Sequence, residues 1–272
     1  MTTLESDPAF ALLTEKISRE RGFGCASYKE KCLRRRIAVR LRAKGVHSYA
    51  DYMALLDREP AEYDRLLDAL TINVTKFFRN WETYDAMRRH VVPALWDEGG
   101  LARAWSAGCS SGEETYSIAA LFHAHAEARG EDARIASRIA VVGSDIDRES
   151  LVAAERGTYE DAAFADTPAE LRRRYFSAEP PFAVVPELRR VVRFERRDLL
   201  REPPPGAGFQ LITCRNVIIY FDRGTQEMLF ERFFDALAPG GFLVLGKVET
   251  LLGTARSRFT AVDPRERIFR RP

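Results

Sequence analysis

At 272 residues and 46% apolar content the chain is long enough for one full core plus a small second domain. Its 42 basic and 40 acidic side chains leave a net charge of +2, which excludes a global field drawing it to nucleic acid or to a membrane. Cys25, Cys32, Cys109 and Cys214 form no C-x-x-C pair, which argues against a metal site or a disulfide framework and for a reducing cytoplasm. The start MTTLESDPAF has no basic end followed by an apolar core, and no run approaches the length of a membrane span. A cytoplasmic protein without direct membrane insertion is therefore expected.

From Asp7 to about Leu70 the pattern is helical, with little clustering of β-branched residues. In the stretch from Tyr28 to Gly45, Leu33, Ile37 and Leu41 fall on one narrow face, and Gly45 is placed to stop the helix. Lys31, Arg34, Arg35 and Arg42 gather on one flank of that stripe, and Lys29, Arg36, Arg40 and Lys44 on the other. Such a face is either simply solvated or a docking surface for an acidic partner, because clustered like charges repel unless something offsets them. No aromatic residues interleave with the arginines, as a nucleic-acid stacking platform requires. The following segment, LTINVTKFFRNWETY, sets Asn73, Thr75 and Arg79 among Ile72, Val74, Phe77 and Phe78. Three polar groups there can face one ligand while aromatics pack beneath, or one of them can cap a helix.

The chain is organised around LARAWSAGCSSGEETYSIAAL. An apolar run to Ala107, a turn of small residues and a helical pattern opening at Glu113 read as strand, glycine turn and helix. In an open α/β sheet this unit places a ligand at the carboxyl end of the strand, where glycines let the backbone approach and the helix offers free N–H groups. The acids Glu113 and Glu114 at the mouth of the turn disfavour a pyrophosphate and favour a ligand with hydroxyl or amino donors, such as the sulfonium nucleoside S-adenosylmethionine. Further on, Ile139 to Gly143 reads as a buried strand with Asp145 at its end, suited to accept both hydroxyls of a ribose, and Asp147 reads as the next helix cap. The spacing of about forty residues from the turn is roughly twice that of dinucleotide folds, which disfavours a nicotinamide enzyme.

A short helix is expected from Pro168 to Phe176 and a strand from Val191 to Phe194, with Asp198 and Leu199 beyond it. Phe209 to Thr213 reads as another strand, whose end presents Arg215, Asn216 and Tyr220. The next helix turns Leu229, Phe230, Phe233, Phe234 and Leu237 to the core and stops at Pro239, Gly240 and Gly241. FLVLG and a segment near Arg267 to Phe269 supply the last strands.

Taken together, TINVTKFFRN, WSAGCSSGEETYSIA, GSDIDRESLVAAERGTY, CRNVIIYFDRGTQ and LAPGGFLVLGKVET resemble, in order, the motifs of the chemotaxis receptor glutamate methyltransferases, the CheR family. The resemblance implies an α/β fold: a doubly wound, mostly parallel sheet of the class I S-adenosylmethionine-dependent methyltransferases. A helical N-terminal domain (1–75, carrying the basic helix) would precede the methyltransferase domain (76–272), with a short β-subdomain near 177–197. It further implies transfer of the methyl group of S-adenosylmethionine to glutamate carboxylates on cytoplasmic, glutamate-rich helices of chemoreceptors, with S-adenosylhomocysteine as product. By the same resemblance Asn73, Thr75 and Arg79 would border the methionine portion, and Ala107 with Glu113 would hold the cofactor's polar end. Asp145 would take the ribose, Asp198 and Leu199 would flank the adenine, and Asn216 with Val217 would close the site. Arg79 and Tyr220 would lie nearest the transferring methyl, and Lys31, Arg34, Arg35 and Arg42 would grip the receptor helix.

The chain departs from the family pattern at Lys247 and Val248, where a His and a Ser are usual, which bears on the substrate entrance. Ser177 to Arg197 is short for the family's peptide-binding β-subdomain, so no receptor-tail tether is expected. A monomer is expected, with no metal. Two rival readings stand beside this one: a catalytically weak or inactive regulatory protein that binds S-adenosylmethionine, and a nucleic-acid methyltransferase, against which CRNVIIY lacks a proline after Asn216.

Overall fold

The computed structural model describes residues 7–71 and 73–272; Ile72 and the first six residues lie outside it. Two compact units emerge among the described residues, one of residues 7–71 with 220–225, the other of residues 73–219 with 226–272. The division thus falls between 71 and 73 rather than at 75/76, and it places Asn73 and Thr75 with the sheet. Asn73 belongs there because its side-chain amide donates to the Asp147 carboxylate, beyond the second strand.

The helical unit contains α1 (Pro8–Arg21), α2 (Glu30–Ala43), α3 (Tyr49–Arg58) and α4 (Pro60–Leu70). Asp7 caps α1 by accepting the Ala9 and Phe10 N–H groups (3.1 and 3.4 Å), and Ser48 caps α3 through the Asp51 N–H (3.0 Å). Leu33, Ile37 and Leu41, spaced by four, are the buried stripe of α2 and pack in one cluster with Leu13, Ile17, Tyr52, Leu56 and Leu66. Gly45 follows in the left-handed region, at φ +65°. Residues 220–225 are sewn into the same unit: the Lys29 N–H donates to the Tyr220 carbonyl (2.9 Å) and the Asp222 N–H to the Ser27 carbonyl (2.9 Å).

Glu62, on α4, is completely buried and takes both arms of the Arg40 guanidinium (2.9 and 2.8 Å) and the Tyr52 hydroxyl (2.9 Å). Burial opposes its charge, but Arg40 and Tyr52 outweigh burial and hold the carboxyl below its usual range. Arg40→Leu leaves this carboxylate in the core without its main partner. Denaturant unfolding of the full chain should show a loss of about 3 kcal/mol, whereas an exposed control, Arg35→Ala, should leave the midpoint in place.

The second unit is built on a seven-stranded sheet. Its strands, with a separate two-stranded ladder, are β1 (Ala102–Ala107), β2 (Ile139–Asp145), β3 (Thr158–Tyr159), β4 (Phe182–Ala183), β5 (Val192–Arg196), β6 (Phe209–Cys214), β7 (Leu237–Leu245), β8 (Thr260–Asp263) and β9 (Ile268–Arg270). The large sheet runs β5-β2-β1-β6-β7-β9-β8; β5 to β7 in that order are parallel, and β9 pairs antiparallel with both β7 and β8. The chain winds outward from β1 in both directions, so the strand order reverses between β1 and β6, where doubly wound folds bind ligands at the carboxyl edge.

Two expectations are revised. The proposed β-subdomain at 177–197 is divided: β4 pairs with β3, from before that range, while β5 is an edge strand of the large sheet. The helix expected to include Leu237 spans Arg223–Ala236, and Leu237 already begins β7 opposite Phe209. Pro239, Gly240 and Gly241 lie in the irregular start of that strand instead of beyond a helix end. Strand β8 had no signal in the sequence, since its four residues are mostly exposed and show no alternation.

Candidate functional site

Past Ala107 the backbone is drawn across the ends of β1 and β2. The Gly108 and Cys109 N–H groups both donate to the Ser144 carbonyl (2.8 and 3.0 Å), and the Ser110 N–H donates to the Asp145 carboxylate (2.7 Å). Gly108 (φ +80°) and Gly112 (φ +92°) allow this path. A Cβ on Gly108 would stand 2.5 Å from the Val217 side chain, and one on Gly112 would stand 2.8 Å from that of Ala154. The turn therefore touches the loop after β6 on one side and the helix after β2 on the other, before the Glu113–Ala128 helix begins.

Glu113 is buried, and its carboxylate accepts only the Ser111 hydroxyl from another side chain (3.0 and 2.8 Å). Burial pushes it up to about 7, with its own backbone N–H and Ser111 opposing in part. Asp145 ends β2 with its carboxylate turned to the turn, accepting from Ser110 and from the Asp147 N–H (3.0 Å). Burial raises it as well, against those two N–H groups. Asp147 caps the Arg148–Arg156 helix, as its place in the sequence suggested.

Glu114 does not share the mouth of the turn with Glu113. One residue further round the helix, it points inward, where it accepts the Ser106 and Thr213 hydroxyls (2.9 and 2.5 Å) and lies 3.4 Å from the buried Arg215 guanidinium. Arg215 in turn donates to the Arg79 carbonyl (2.7 Å) and the Tyr84 hydroxyl (3.2 Å).

Asn216 sits two residues beyond β6 in the left-handed region (φ +61°), and its side-chain oxygen is buried with no hydrogen-bond partner. The Ser110 hydroxyl is likewise buried and unpartnered. Beside β2, the Arg197 N–H donates to the Asp145 carbonyl (2.8 Å), which brings Asp198 and Leu199 along the same edge. The Asp198 carboxylate accepts the Leu200 N–H (2.8 Å), and the Leu199 carbonyl takes the Arg232 guanidinium (2.8 Å). Asn73, Thr75 and Arg79 form a segment tied at Asn73 to Asp147 and at the Arg79 carbonyl to Arg215, with Phe77 and Phe78 fully buried beneath. The Arg79 guanidinium donates back to the Val74 carbonyl (2.7 Å).

Ala107, Glu113, Asp145, Asn216 and Val217 are thus linked by direct contacts of their loops, and Asp198, Leu199, Asn73 and Arg79 join through neighbouring bonds. Tyr220, in the Ile218–Tyr220 turn, groups with the helical unit. There, Lys31, Arg35 and Arg42 are exposed, but Arg34 is not a free cation. It lies 3.9 Å over the Phe10 ring, donates to Glu30 (2.6 Å) and is 3.6 Å from Asp7.

One residue of consequence escaped the sequence reading. Glu249 is buried, and its carboxylate accepts the N–H groups of Asn216, Val217, Ile219 and Gly246. The available signal was an acid three residues beyond the glycine that ends FLVLG.

The set is rich in acceptors: two raised carboxylates, an unpartnered amide oxygen and a hydroxyl, around a turn whose glycines pack closely on the loop after β6 and the helix after β2. It fits the ribose hydroxyls and amino group of S-adenosylmethionine and repels phosphates. A doubly wound sheet with such a site at its switch point defines an S-adenosylmethionine-dependent methyltransferase. Family models agree: residues 73–268 match the CheR methyltransferase S-adenosylmethionine-binding domain, and residues 8–71 match the CheR methyltransferase all-alpha domain. The chain belongs to the CheR methyltransferase family. It is 32% identical to the chemotaxis protein methyltransferase of Listeria innocua, covering 93% of each chain. It is 35% identical to that of Klebsiella aerogenes, covering 92% of this chain and 86% of the relative. It is 36% identical to chemotaxis protein methyltransferase 2 of Pseudomonas aeruginosa, covering 89% and 86%. The cofactor is S-adenosylmethionine and the activity belongs to chemotaxis. Among the described residues no helix is long and apolar enough to cross a membrane.

With Glu113 poised near 7, its ionised form prevails above that pH and its neutral form below it. If Glu113 receives the cofactor's ammonium group, affinity for S-adenosylmethionine should fall by about tenfold as pH drops from about 8 to about 6. Calorimetric titration checks this, and Glu113→Gln should bind weakly with a flat pH dependence.

Proposed function

We propose that this protein transfers the methyl group of S-adenosylmethionine to glutamate side-chain carboxylates on cytoplasmic helices of chemoreceptors, leaving glutamate methyl esters. The observation that carries the reading is Arg79. Its guanidinium is on the segment tied to Asp147 and Arg215, donates only to a backbone carbonyl and has no ion-pair partner among the described residues. An uncompensated cation there suits an entering carboxylate.

S-adenosylmethionine, when bound, supplies a methyl group on a positively charged sulfur. The chain needs no general base, because a glutamate with an ordinary pKa of about 4.3 is already ionised at neutral pH. Its contribution is alignment and removal of water, since a carboxylate meeting a sulfonium loses charge and a drier site favours that loss. Glu113, with Ala107, holds the polar end of the cofactor, and Asn73 and Thr75 border its methionine portion. Asp145 takes the ribose, Asp198 and Leu199 flank the base, and Asn216 with Val217 closes the site. Arg79 orients the incoming carboxylate, and Tyr220, just past that closing loop, holds it or packs beside the methyl.

The test is transfer of tritiated methyl groups to a receptor cytoplasmic fragment. Base-labile label is expected, and it should vanish fragment by fragment as individual glutamates are changed. Binding of the cofactor without any transfer would leave a regulatory S-adenosylmethionine-binding protein. Arg79→Ala and Tyr220→Phe should lower turnover by about tenfold or more while changing cofactor affinity far less, and unchanged turnover removes both from the reaction.

The exposed cations of α2 are assigned to the acidic receptor helix. Lys31, Arg35 and Arg42 replaced together by alanine should raise the KM for the fragment and leave cofactor binding intact. The effect should weaken with salt, because exposed charges are screened. Arg34→Ala is expected to act differently, lowering the unfolding midpoint through its lost contacts with Phe10 and Glu30.

A further inference from the structure

Glu249 lies in the loop after β7, is buried, and has no place among the cofactor assignments above. Its two carboxylate oxygens nevertheless collect four backbone donors. One oxygen accepts the Gly246 and Asn216 N–H groups (2.6 and 3.0 Å), and the other those of Val217 and Ile219 (3.0 and 3.3 Å). Hydrogen bonds to an ionised acceptor are the strong kind, and here three of them hold consecutive parts of one short loop. That loop carries Asn216 in a left-handed conformation that non-glycine residues adopt at a cost. It also sets Val217 against the glycine turn, where a Cβ on Gly108 would stand 2.5 Å from the Val217 side chain. Gly246 completes the nest: a Cβ there would come within 2.8 Å of the Glu249 carboxylate and 2.9 Å of the Asn216 nitrogen.

We propose that Glu249 is a positioning residue for the cofactor site, a fixed anion that binds the chain's own backbone and so holds the Asn216 side-chain oxygen and the Val217 side chain in place to receive S-adenosylmethionine. The inference rests on the assignment of Asn216 and Val217 as cofactor contacts. It accounts for two features at once. The strained backbone at Asn216 is over-determined by two flanking bonds to one carboxylate. The buried Asn216 oxygen remains unpartnered because the loop is held in register from its backbone, which leaves the side chain for a ligand donor.

The experiment is calorimetric titration of S-adenosylhomocysteine into the full-length protein and its Glu249→Gln, Glu249→Asp and Asn216→Ala variants. In Glu249→Gln the new amide hydrogens face two of the four N–H donors, and affinity should fall by about tenfold or more. Glu249→Asp keeps the charge on a shorter stem and should fall between parent and Gln. Adding Asn216→Ala to Glu249→Gln should weaken binding little further, because both act through one contact. A parent-like Kd in Glu249→Gln with only a lowered unfolding midpoint overturns the proposal, as do losses that multiply in the double variant. Should the Gln variant fail to fold, Glu249→Asp decides by the same measure, with several-fold weaker binding in support and a parent-like Kd against. Weak binding by Asn216→Ala alone, with both Glu249 variants parent-like, removes this inference only. A parent-like Asn216→Ala removes the assignment of Asn216 and the inference with it.

Discussion

A single buried carboxylate holds the centre of the sheet unit together. Glu114 ties β1 through Ser106, β6 through Thr213 and the loop beyond β6 through Arg215, at the point where the strand order reverses. Arg215 then passes the connection to the Arg79 carbonyl and the Tyr84 hydroxyl. An ion pair this deep is costly to desolvate and adds little net stability, but removing either member strands the other charge. What it secures is register: the two central strands, the glycine turn above them and the polar segment that carries Arg79 are referred to one pair of oxygens. Glu113, Asp145 and Asn216, the groups proposed to face the ligand, stand one layer further out and inherit their positions from this layer.

Much of this arrangement was legible in the order of residues. The strand, glycine turn and helix around Ala107 and Glu113 announce themselves because small residues are the only ones that fit the path. Asp145 and Asn216 declare themselves by following apolar strand runs, and the α2 stripe by its spacing of four. The failures share one physical cause, which is that partners distant in sequence decide which way a polar side chain turns. Glu113 and Glu114 are adjacent, and only Thr213 and Arg215, about a hundred residues away, send the second one inward. Arg34 looks like one more surface cation until Phe10 and Asp7 come up beneath it. Glu249 gave no signal of its partners because its four donors are backbone groups, which carry no residue type to read.

Lys247 and Val248, which depart from the pattern the resemblance implies, also acquire surroundings. The Lys247 ammonium lies 3.0 Å from Glu82 and 3.7 Å from Glu266, itself held by the Thr83 hydroxyl (2.7 Å). Val248 beside it is 74% exposed, an apolar side chain presented outward at the end of β7 while its neighbour Glu249 is enclosed. Successive residues of one turn thus serve the outer rim and the inner scaffold. The bonds made by Glu249 are to backbone and do not depend on the identity of Lys247 or Val248.

The outermost strand of the parallel half has a further meaning. β5 offers one unpaired row of backbone donors and acceptors to any passing extended chain, and Arg193 and Arg196 stand exposed along it. Guanidinium groups spaced along an open border repel a like border brought alongside in register, so the sheet is discouraged from growing into a stack of its own copies. The same charges keep this border from sticking to a neighbouring copy.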